Sequence, residues 1–133
     1  MLGVELTFPP TPGHVRTARL VAAAVARRAQ LHEDRLDELR LAVGEACARA
    51  VRRCESATCT LPVVLFVDDT GPGLVIEVTD AAPDQEGDEP VVLALQRGLA
   101  DAVEVLDGVG GSGGRVRMEW WAAPAIPLRG RLS

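Results

Sequence analysis

The sequence predicts an α+β fold: a two-layer α/β sandwich in which a mixed, mostly antiparallel sheet is covered by helices on one face. Three observations point there. Two stretches near the N-terminus, one after the other, carry apolar residues at helical spacing. The remainder is built of short β-branched runs that come in pairs joined by Gly-containing turns. Hydrophobic residues make up 47% of the 133 residues but aromatics only 3%, so the core must be aliphatic side chains packed between helices and a sheet. That length fits one domain, expected over residues 1–121, followed by a Pro- and Arg-containing tail over 122–133 that is expected to be flexible.

Each element has a local reason. Val4 to Phe8 alternates apolar and polar side chains, as a half-buried strand does, and Pro9-Pro10-Thr11-Pro12-Gly13 stops it. From His14 to about Ala29, Val15, Ala18, Ala22, Val25 and Ala29 recur at helical spacing with arginines on the flanks. A second helix starts near His32-Glu33-Asp34, where acidic residues suit the positive end of the helix dipole. It runs to about Arg53, with Leu36, Leu39, Val43, Ala46, Cys47 and Ala50 as its buried face. Leu61 to Val67 and Leu74 to Val78 are strands joined by the turn-rich Asp68-Asp69-Thr70-Gly71-Pro72-Gly73, which implies antiparallel pairing. Thr79 to Pro90 is an acidic loop, and Val91 to Leu99 a short helix. Asp101 to Leu106 leads into a strand that pairs with Arg115 to Trp121 across a Gly-rich turn.

Net charge is -5 and all 14 basic residues are Arg, which argues against broad binding to a phosphate backbone and puts protein or small-molecule partners first. No window approaches the roughly 18 continuous apolar residues of a membrane span, so no membrane partner and a cytoplasmic location are expected. Cys47, Cys54 and Cys59 are odd in number and lack CxxC spacing, so reduced thiols are expected, with neither a disulfide framework nor a zinc site. Gly108 to Gly113 matches GxGxxG by letter, but a strand follows where a dinucleotide site needs a helix, so the glycines are read as hairpin residues. Trp120 and Trp121, adjacent on a strand, should point to opposite faces; an exposed one would mark a protein interface, unless the tail covers both.

The segment Leu39-Arg40-Leu41-Ala42-Val43-Gly44-Glu45-Ala46-Cys47-Ala48-Arg49-Ala50-Val51 resembles the N-box helix of the GHKL ATPases, whose domain is the Bergerat or histidine-kinase-type ATPase fold. The likeness is closest to the anti-sigma-factor serine kinase branch. There a strand, a Pro-containing turn and an Arg-flanked helix precede the N-box, as Val4 to Ala29 do here. Val78-Thr79-Asp80 stands where the adenine-binding motif begins, and Ala94 to Val105 resembles the helix and strand after the second glycine box. Val116-Arg117-Met118 matches the final strand, so the resemblance covers nearly the whole chain.

What the resemblance implies for chemistry is altered by departures from it. The family's N-box pairs a Glu, the general base, with an Asn four residues on that holds magnesium; here Glu45 is present and the Asn position is Arg49. The first glycine box, Asp-x-Gly-x-Gly, reads Asp80-Ala81-Ala82-Pro83-Asp84, and the second, Gly-Leu-Gly-Leu, reads Pro90-Val91-Val92-Leu93. A guanidinium offers no acceptor to a hard cation and repels it, so the magnesium site is expected to be lost. Phosphoryl transfer depends on positioning and cationic stabilisation, and it should suffer by several orders of magnitude. Glu45 is thus a candidate base or a helix carboxylate paired with Arg49. Asp80 is a candidate adenine acceptor or a strand-end turn acid. Arg49 is a candidate nucleotide contact that pairs with a phosphate directly.

No cofactor and no resident metal are expected, with magnesium-independent ATP or ADP binding left open. The resemblance implies a bacterial, anti-sigma-factor-like regulator, a degenerate pseudokinase scaffold that binds a sigma factor or an anti-sigma-factor antagonist and forms a homodimer. The alternative is an active ATP-dependent serine kinase phosphorylating an anti-sigma-factor antagonist, with Glu45 as base, Asp80 on adenine and Arg49 in place of the metal. Outside the family, the alternative is a small α+β domain that binds another ligand in the vacated cleft.

Overall fold

The computed structural model describes residues 3–84, 97–107 and 113–122. The chain runs β1 (Val4–Phe8), a short 3-10 turn (Pro12–His14), α1 (Val15–Arg28), α2 (Glu33–Ser56), β2 (Val63–Asp68), β3 (Leu74–Asp80), β4 (Ala102–Asp107) and β5 (Gly114–Trp120). Residues 97–99 are helical. Most of the helix expected over Val91 to Leu99, the second glycine-box positions, the Gly108–Ser112 turn and the tail beyond Ala122 lie outside the described residues.

The sheet has the order β1-β2-β3-β5-β4. Where the sequence allowed a mixed sheet, all four pairings of the described strands are antiparallel. Residues directly opposite in register share a face. The row Leu6, Leu65, Val78, Val116 and Val105 therefore looks toward the helices, and the row Glu5, Phe66, Glu77, Arg117 and Glu104 looks away. Burial follows this alternation on β2, β3 and β5. One face of the sheet is core, and the other is half-exposed and crossed by the Arg115–Glu77 ion pair.

Helix α1 buries Ala18, Ala22, Ala23, Val25 and Ala26. These small side chains let it lie close against α2. Ala29, expected on the buried face, is exposed because the helix has already ended and the chain reverses at Gln30, with φ 64°. The expected face of α2 is buried in full, and Leu36, Leu39 and Val43 are among the largest enclosed side chains. Each such aliphatic residue contributes about 1.5–3 kcal/mol on leaving water. His32 caps α2 by accepting from the Asp34 amide at 3.2 Å. The helix runs three residues past the expected end, to Ser56, and its buried set includes one charged residue, Arg53.

Candidate functional site

Along β3 the inward positions Leu74, Ile76 and Val78 are followed at the same spacing by Asp80, so a carboxylate is delivered to a core position with its side chain only 3% exposed. An unpaired charge there costs several kilocalories per mole. The partner comes from α2, where the buried positions Ala46 and Ala50 continue to Arg53, 4% exposed. Arg53 Nε donates to Asp80 Oδ2 at 3.1 Å, and Nη2 donates to the Ala82 carbonyl at 2.8 Å and to Asp84 Oδ1 at 3.2 Å. Asp80 Oδ1 in turn accepts from the amides of Ala82 (3.0 Å) and Gly114 (3.2 Å). Both carboxylate oxygens are engaged, and with the side chain 3% exposed a ligand amino group has little access to Asp80 while Arg53 stays in place.

The start of β5 is shaped around this pair. Gly114 stands opposite Asp80 in register, and a Cβ on it would lie 3.0 Å from Arg53 Nε and 3.1 Å from Asp80 Oδ2. Gly113 has φ +83°, and a Cβ there would run into the Asp80 carbonyl oxygen. The glycines expected as plain hairpin residues thus include one whose backbone conformation L side chains rarely adopt and one pressed against an ion pair.

The other expected site residues sit on the same helix edge. Glu45, Arg49 and Arg53 form one i,i+4 series, with Glu45 and Arg49 half-buried. At 1.5 Å of rise per residue, Glu45 is about 12 Å along the axis from Arg53. The structure brings α2 and Asp80 together, but the residue that meets Asp80 is Arg53. The expected Glu45–Arg49 pair is not among the ion pairs between described residues. Of the acidic segment from Asp80 to Glu89, residues 80–84 are described, and Asp84 joins the Arg53 cluster. No group of three or more His, Cys, Asp or Glu suited to a metal occurs among the described residues.

A second Arg–Asp pair ties α2 to the opposite end of the sheet. Arg35 Nη1 and Nη2 donate to Asp101 at 2.9 and 3.2 Å, and Asp101 also accepts from the Trp121 amide at 2.7 Å. The Arg35 hydrogen bonds, then the Trp121 amide and the Arg35 charge, hold the Asp101 carboxyl below its ordinary value against the opposing effect of burial. At this end Trp120 is fully buried and Trp121, just past the strand, is 58% exposed, so the two rings separate as their adjacency predicts. Grooves of about 340 and 490 Å³ open here between Gly71, Pro72, Gly73, Trp121 and Ala122.

With that geometry in place, the family model for the histidine kinase-like ATPase domain matches residues 8–120. The chain belongs to the histidine kinase-like ATPase domain family. The match takes in every described strand but β1, and reaches from Phe8 to Trp120. Among solved structures, the ATPase-like domain is similar to the crystal structure of the RsbU and RsbW domains of Rv1364c from Mycobacterium tuberculosis, with a TM-score of 0.71 and 16% identity over 91% of this chain. That likeness shows a shared fold; the chain spans 32% of that protein's length. No curated protein matches the chain in sequence. No helix among the described residues is long and apolar enough to cross a membrane.

Proposed function

We propose that this histidine kinase-like ATPase domain is an anti-sigma-type regulatory protein: a pseudokinase scaffold that binds a sigma factor or an anti-sigma-factor antagonist in transcription regulation. The observation that carries the reading is the Arg53–Asp80 pair. Asp80 stands where the family holds adenine, yet both its oxygens are committed inside a cluster of which Arg53 and Asp80 are nearly inaccessible. The residues present do not fit a nucleotide held in the family's manner: Arg53 fills the space before Asp80, and Arg49 offers no oxygen to magnesium. The exposed Trp121, beside open grooves, supplies the large amphipathic surface that protein interfaces favour. A cytoplasmic homodimer is part of the same proposal.

The competing reading, an active serine kinase acting on an anti-sigma-factor antagonist, draws on Glu45, which is half-buried and takes part in no ion pair among the described residues. Binding assays against a sigma factor and an antagonist separate the two. The scaffold binds one of them with ATP absent and binds equally well as Glu45→Ala. Transfer of phosphate from ATP to the antagonist, lost in Glu45→Ala, would establish the kinase instead.

A further inference from the structure

Helices α1 and α2 end in the same chain reversal, and at the end of α2 it sets two cysteines side by side. In each, a residue with positive φ (Gln30 at 64°, Thr58 at 53°) follows the helix. The next main-chain amide returns to a carbonyl five residues back, Leu31 to Ala26 at 3.0 Å and Cys59 to Cys54 at 2.8 Å. The paired shorter bonds, Gln30 to Arg27 and Thr58 to Glu55, complete the motif in both helices. Its two anchoring residues typically touch through their side chains. In α1 they are Ala26 and Leu31, both apolar; in α2 they are Cys54, fully buried, and Cys59, half-buried.

The thiols are in reach of each other. Burial, the Asp80 carboxylate and the Cys59 thiol, in that order, push Cys54 up to about 11, with the Ala81 amide acting against them. A disulfide requires Cα atoms about 4.4–6.8 Å apart, and a main-chain hydrogen bond between the same two residues keeps them at that range.

We propose that Cys54 and Cys59 form a reversible disulfide, made by exchange with a small-molecule or protein disulfide, that locks the last turn of α2. Cys59, the accessible partner, gives its proton to water, and its thiolate attacks one sulfur of R–S–S–R. A mixed disulfide forms and RS⁻ leaves. Cys54 then loses its proton to water, and its sulfur attacks the Cys59 sulfur, releasing the second RS⁻. The two thiolates take up the two protons, so two protein thiols are oxidised to one disulfide while R–S–S–R is reduced to two thiols. The elevated Cys54 makes the second exchange the slow one, because the thiolate is the nucleophile. The lock adjoins Arg53 and therefore fastens the turn of helix that reaches Asp80. This inference is independent of the partner-binding reading.

The experiment is oxidation of the folded full chain with oxidised glutathione, followed by alkylation under denaturing, non-reducing conditions and peptide mapping by mass spectrometry. Of the three thiols, two should disappear into a Cys54–Cys59 link that dithiothreitol reverses, leaving Cys47, buried within α2, as the remaining thiol. Cys59→Ser, with its fold checked by circular dichroism, should keep both of its thiols. A stable glutathione adduct on Cys59, a link that uses Cys47, or three unreacted thiols would overturn the proposal; the wild-type map decides this even if the variant fails to fold.

Discussion

Helix α2 is fastened to the sheet at both ends by the same chemistry, Arg to Asp, and the two ends differ in what surrounds it. Near its start, Arg35 and Asp101 have side chains 28% and 25% exposed, whereas near its end Arg53 and Asp80 have 4% and 3%. The first pair keeps contact with water and is screened by salt. The second must satisfy itself within the protein, and the hydrogen bonds among described residues that do so link Arg53, Asp80, Ala82, Asp84 and Gly114. Burial converts one interaction from an accessory into a requirement. In the proposed reading, the buried end is also where the family's nucleotide acid would stand, with Arg53 in the place of adenine.

Breaking the buried pair should have the largest effect. Arg53→Ala leaves an uncompensated carboxylate and should cost about 3–5 kcal/mol in urea unfolding. Combined with Asp80→Asn, the loss should fall well short of the sum of the two single changes; additive losses would mean the pair is not coupled. Next comes Gly113→Ala, which forces a Cβ against the Asp80 carbonyl at positive φ and should cost about 2 kcal/mol, with a smaller loss for Gly114→Ala. At the open end, Arg35→Ala should cost about 1 kcal/mol or less and lose even that in high salt. A loss as large as that of Arg53→Ala would erase the contrast between the two ends.

The smallest effect is a pH dependence. Asp101 has a folded value below its unfolded one, so its contribution is fully present above the ordinary carboxylate range and is lost as pH falls through the lowered folded value. Wild type and Asp101→Asn should therefore converge in stability on acidification and stay apart near neutrality. Equal separation at all pH values would show that Arg35 does not hold this carboxyl.

Much of the fold was legible because the patterns are strong. The alternation of Leu74, Ile76 and Val78, the stripe from Leu36 to Ala50 and the Gly-rich turns prescribe the strands, α2 and the pairing directly. The site was half legible. Asp80 stands out by resemblance, whereas Arg53 does not, because the N-box pattern marks only Glu45 and the position four residues on, Arg49. A signal was present: extending the helical stripe one turn past Ala50 places Arg53 inward, and extending the β3 alternation past Val78 places Asp80 inward. Two opposite charges in otherwise apolar patterns call for each other. The two-helix reversal was not legible, since Gln30 and Thr58 adopt positive φ without the glycine that usually announces it.

Calorimetric titration of the folded protein with ADP, with and without magnesium, tests the proposal that Arg53 keeps adenine from Asp80. No binding is expected in either condition. Magnesium-dependent binding that disappears in Asp80→Asn would contradict it, because it would require the carboxylate to leave Arg53 for the nucleotide.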